Sequence, residues 1–63
     1  MIEIRKEIDK RFVVCGKIHA AELINSSIDA YMTKVYGAKR TKLYHTGVAC
    51  YKNLETGERY KIW

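Results

Sequence analysis

The stretch 2-IEIRKEIDKRFVVCGKI-18 decides the fold. At a period of two it makes two strands that turn at Asp9-Lys10, with Phe12, Val14 and Ile18 on one face of the second and Gly16 between them. At a helical period, Ile4, Ile8, Phe12 and Cys15 make one stripe, and Glu7 and Arg11 make an i,i+4 pair. The β-branched pair Val13-Val14 and the following Gly16 disfavour a helix there, so the strand reading is preferred.

Two further elements stand out. Ala20, Ile24, Ile28, Tyr31 and Val35 recur at helical steps, with Glu22, Ser26, Asp29 and Thr33 as the matching polar stripe. That spacing predicts one continuous helix over about 20–36. Gly37 is its natural stop, because glycine takes the left-handed conformation cheaply. At the other end, VACYK and RYKIW flank NLETGE, a hairpin signature with Gly57 placed for positive φ. The expected fold is therefore α+β, a ββαββ domain with one amphipathic helix packed on an antiparallel sheet. With a helical N-terminus the same chain resembles, in architecture alone, a minimal winged helix-turn-helix.

The chain has 63 residues, net charge +5 and no run of apolar residues long enough to span a membrane. One domain accounts for its length. A core this small buries only about 60% of the unfolded surface, which makes a homodimer a candidate state. The opening residues carry scattered charges rather than the apolar core of a signal peptide, and only two cysteines are present. Both features point to a cytoplasmic protein with reduced thiols.

Cys15, His19, His45 and Cys50 are all the Cys and His in the chain. Tetrahedral zinc needs four ligands converging at about 2.0–2.3 Å. On a strand Cys15 and His19 lie about 13 Å apart, and His45 and Cys50 face opposite sides unless Gly47 marks a bulge. These four make a weak metal set; the plainer expectation is two small buried thiols and two surface imidazoles, with no cofactor. Gly16-Lys17 lacks the rest of a phosphate-binding loop. A Cys50–His45 pair lacks a recognisable orienting acid or oxyanion hole. No enzyme is expected.

Charge is where the sequence says most. Residues 1–29 and 53–63 are each close to neutral, whereas 30–52 carry Lys34, Lys39, Arg40, Lys42 and Lys52 and no acid. Within 31-YMTKVYGAKRTKLY-44 the cations alternate with tyrosines. Cations neutralise phosphates and release counterions, and aromatic rings stack on unpaired bases. Lys34 lies on the last helical turns, and Lys39, Arg40 and Lys42 in a loop after the helix. With Tyr36 and Tyr44 they form a candidate nucleic-acid site, for DNA or RNA, on a small regulatory or accessory protein. The plainer reading is solvated charge drawn to a helix C-terminus, with Tyr31, Tyr51 and Tyr60 in the core. The alternative function is a protein-binding inhibitor or adaptor that docks on a larger acidic partner. Its anchors would be the same patch, or Tyr60, Ile62 and Trp63 on a C-terminal edge strand.

Overall fold

The computed structural model describes residues 2–23 and 27–63. Strands β1 (Ile2–Ile8) and β2 (Arg11–Ile18) form a hairpin, followed by a short 3₁₀ turn at Ala20–Leu23. Helix α1 (Ile28–Tyr36) precedes strands β3 (Lys39–Leu43), β4 (Ala49–Lys52) and β5 (Arg59–Ile62). All strand pairs are antiparallel and the sheet order is β2-β1-β5-β4-β3. The fold is thus α+β, as the strand reading requires, with one strand more than expected: ββαβββ.

The N-terminal stretch is a hairpin because its turn works. Asp9 and Lys10 both take positive φ, 51° and 65°, which matches the twist of the flanking strands. The strand faces differ from the simple alternation. Ile4 pairs with Gly16 but Arg5 pairs with Val14, so Cys15 is the extra residue of a bulge. The bulge puts Ile18 toward the helix while Phe12 and Val14 face the opposite way, where a regular strand would have kept all three together.

The helix is shorter than the apolar spacing implies. Ser27 is extended (φ −84°, ψ 169°), and its Oγ accepts the Ala30 N–H at 3.1 Å, which starts α1 at Ile28. Residues 24–26, across which the sequence reading carries its continuous stripe, lie outside the described residues. The helix also faces inward about a different residue: Met32 is fully buried, whereas Val35 is 54% exposed. Gly37 ends the helix as expected, at φ 64°, with the N–H groups of Gly37 and Ala38 donating to the carbonyls of Thr33 and Met32. Asn53 locks this end to the β4–β5 turn. Its Nδ2 donates to the Tyr36 carbonyl at 3.0 Å, and its Oδ1 accepts from the N–H groups of Glu55 and Thr56.

The core lies between α1 and one face of the sheet. Ile4, Ile18, Met32 and Ala38 are fully buried, with Ala49, Tyr51, Tyr60 and Ile62 nearly so. Tyr36 packs its ring on Tyr60, with centroids 5.1 Å apart. Beyond the helix, Ile8 and Val13 on the same face stay exposed. Strand β5 is central rather than an edge, because β1 pairs with its far side. Strand β3 replaces the expected loop. All five of its residues are exposed, and it forms a charged edge.

Gly16 is a close approach. A Cβ there would lie 2.6 Å from the Tyr36 hydroxyl but 3.9 Å from its Cζ. Gly16→Ala should therefore cost about 1–3 kcal/mol by overpacking. The same change in a Tyr36→Phe background should cost much less. Urea unfolding of the four proteins of this cycle checks it; an equal loss in both backgrounds would show that the hydroxyl is not the obstacle.

Candidate nucleic-acid interface

Strand pairing sorts the charged side chains onto two faces, because directly paired residues share a side. Ile4↔Ile62, Lys6↔Tyr60, Tyr51↔Tyr60, Arg40↔Tyr51 and Leu43↔Ala49 belong to the face under the helix. The opposite face has no covering element among the described residues. One cross-strand row on it is Lys39↔Lys52↔Arg59, with Glu7 and its partner Phe12 alongside. The next is Lys42↔Cys50↔Lys61↔Arg5↔Val14. Beyond it lie Glu3 and its partner Lys17, with Trp63 against Arg5.

This open face holds seven cations against the two acids Glu3 and Glu7. The five cations elsewhere, Lys6, Lys10, Arg11, Lys34 and Arg40, are matched by the five remaining acids of the sequence. The whole formal excess of +5 therefore belongs to one face of the sheet. Glu3 and Glu7 are engaged by Arg5 at 3.0 Å and Arg59 at 3.8 Å. Lys39, Lys42, Lys52 and Lys61 have no carboxylate partner among the described residues.

Two aromatic rings stand among these cations. The Arg5 guanidinium lies 3.7 Å from the centre of the Trp63 ring, and Lys61 Nζ lies 4.4 Å from that of Phe12. Trp63 is 50% exposed. Arg5 Nη1 is covered and has no hydrogen-bond acceptor among the described residues. A hollow of ≈ 410 Å³ opens on the face, lined by Phe12, Thr41, Cys50, Lys52, Arg59 and Lys61 together with parts of Tyr51 and Tyr60. The hollow reaches from Phe12 on one edge strand to Thr41 on the other.

The basic segment identified in the sequence is divided by this geometry. Lys39 and Lys42 lie on the open face, and Lys42 Nζ sits 4.5 Å from the centre of the Tyr44 ring. Arg40 points the other way, 3.7 Å from Asp29 of the helix, because strand alternation separates it from Lys39. Tyr36 packs on the core and Lys34 projects from the helix into solvent. Lys52, Arg59 and Lys61, together with Arg5 and Lys17, join the open face from four other strands. Of the C-terminal anchors, Tyr60 and Ile62 are core residues, 5% and 3% exposed, and only Trp63 presents surface.

The four Cys and His residues are dispersed. Cys15 is exposed on β2 and Cys50 half-buried on β4, three strand positions away, so neither thiol is the buried apolar group expected. That separation, about 14 Å at strand spacing, forbids a disulfide. Among the described residues no three metal-ligating side chains come together, and no helix is long and apolar enough to cross a membrane. Comparison with protein-family models, with curated proteins and with solved structures finds no match to this chain.

On the helix side, a polar link pins β3 and β4 to α1. The Tyr51 hydroxyl donates to Asp29 Oδ1, and Arg40 lies against the other carboxylate oxygen. Burial, and then the Asp29 carboxylate, push the Tyr51 phenol well above the usual tyrosine range. An unfolded tyrosine titrates near ~10, so the stability contributed by the protonated phenol is complete below that pH and is lost as pH rises above it. Thermal unfolding followed from pH 8 to 11 should show a falling Tm above about pH 10. Tyr51→Phe should start lower and fall less over the same interval. Parallel declines in the two proteins would remove Tyr51 as the cause.

Proposed function

We propose that this protein binds nucleic acid through the open face of its sheet, as a small accessory or regulatory protein that acts by binding rather than by catalysis. The observation that carries the reading is the segregation of charge: the whole formal excess lies on the one face that no element covers among the described residues. Lysines standing opposite one another in a sheet repel, by an amount on the order of 0.2–1 kcal/mol per pair. Lys39, Lys52 and Arg59 in one row carry that cost, and a polyanion laid across the row removes it. Phosphates regularly spaced along a backbone suit such a grid, with cations about 4.8 Å apart across strands and about 6.6 Å apart along them. An acidic protein surface is the second occupant the charge allows, with Trp63 as its half-exposed anchor.

Salt dependence separates the two. Binding of a fluorescent oligonucleotide should weaken steeply between low and physiological salt. Lys39→Ala combined with Lys52→Ala should reduce the magnitude of the slope of log K against log salt by about two. Arg40→Ala, on the other face, should leave that slope unchanged. No binding at low salt, where attraction is greatest, would overturn the reading and send the search to protein partners.

A further inference from the structure

We infer that the nucleic acid taken by this face is single-stranded, held with its bases toward the sheet and stacked on Trp63 and in the hollow beside Phe12. The inference rests on the nucleic-acid reading and adds the form of the ligand. Three observations carry it.

The first is shape. The face is five strands wide, roughly 19 Å at strand spacing, and holds one hollow. The major groove of a duplex admits a helix or a two-stranded ribbon, not a broad sheet surface. The helix of this fold is no substitute. It is nine residues long, and Lys34 is its only cation. A single strand needs no groove and can lie across a broad surface, with a base in the hollow.

The second is the position of the aromatic rings. Duplex recognition by phosphate contact alone has no use for rings set beside cations, as Phe12 is beside Lys61 and Trp63 beside Arg5, since paired bases are stacked on each other. Unpaired bases offer free π-faces. Trp63 is half-exposed with Arg5 against its ring, so a base can meet either the indole or, with the indole displaced, the guanidinium plane. Arg5 Nη1, covered and without an acceptor among the described residues, is a donor that a base carbonyl or phosphate oxygen could satisfy once the indole moves.

The third is the hollow. Its ≈ 410 Å³ falls within the range of small-ligand sites, and its lining pairs one ring, Phe12, with Lys52, Arg59 and Lys61 and the hydroxyl of Thr41. That combination is apolar where a base would lie and cationic where its phosphate would lie. The rows of cations on either side of the hollow extend the path to neighbouring phosphates.

The test is a titration of the whole chain, at low and at physiological salt, with four probes of equal length. These are a DNA strand, an RNA strand, the corresponding duplex, and an abasic strand with the same number of phosphates. Either single strand should bind at least tenfold more tightly than the duplex and quench Trp63 fluorescence; a difference between the DNA and RNA arms identifies the sugar. The abasic strand should keep the salt slope and lose affinity. Trp63→Ala should weaken single-strand binding by about 5- to 100-fold with little change in slope, and Trp63→Phe should recover most of it. Phe12→Leu, which keeps the apolar volume, should weaken it while unfolding as the parent does. Duplex binding as tight as single-strand binding, an abasic strand as good as a normal one, or full affinity in Trp63→Ala would each overturn the single-strand inference and leave nucleic-acid binding standing. No binding of any probe at low salt would remove both.

Discussion

One helix of nine residues can cover only one face of a five-stranded sheet. Most of the structure depends on that constraint. Because strand side chains alternate, each strand must supply apolar groups to one side and soluble groups to the other. Ile4, Tyr60, Ile62, Ala49 and Tyr51 meet Met32 on the covered side. Their neighbours, Arg5, Arg59, Lys61, Cys50 and Lys52, are left on the other. A face of this size needs polar residues for solubility, but mixed signs would serve. The lopsided choice, seven cations to two acids, is what turns a packing constraint into a candidate binding surface.

Much of the fold was legible because local chemistry and the pattern agreed. Asp9-Lys10, Gly37 and Gly57 sit where turns and a helix stop demand them, and all take positive φ. The hairpin of β4 and β5 followed from its β-branched and aromatic residues. What was hidden had particular causes. Strand β3, KRTKL, offers almost no apolar alternation, since it is an edge strand whose five residues are all exposed. The helix start was masked by a run of spacings that crosses Asn25-Ser26-Ser27 without a break, although Ser27 is itself a favourable cap. The bulge at Cys15 had Gly16 as its only sign, and it reverses the faces of Phe12 and Val14.

The site was legible only as charge along a line. Counting by segment cancels Arg59 and Lys61 against Glu55 and Glu58, yet Glu58 is taken by Lys6 on the helix side of the sheet. Arg5 and Lys17 disappear into a neutral N-terminal third for the same reason. Conversely, Lys39, Arg40 and Lys42 look like one cluster, although Arg40 is committed to Asp29, whose other oxygen accepts from Tyr51. Alternation, not segment, decides which charges act together, and alternation is unusable until strands and bulges are placed. The strand reading of 2–18 and the register of β5 therefore carry the functional argument as much as the fold.

Under the proposed function, the same arrangement would couple stability to binding. A core of this size rarely supplies more than about 3–5 kcal/mol. Uncompensated lysines facing each other subtract from that in the free protein, and more so at low salt. A ligand that binds only the folded face at a hundred times its Kd adds about 2.7 kcal/mol, comparable to the core itself. Ion pairs such as Arg5–Glu3 and Arg59–Glu7 hold two of the arginines in place without neutralising the lysines. Asn53, Asp29 and Tyr51 meanwhile tie the helix to the far strands, which fixes the strands from which the open-face charges project. If an anionic chain occupies the face as proposed, relief of this repulsion would make the occupied protein the more stable form.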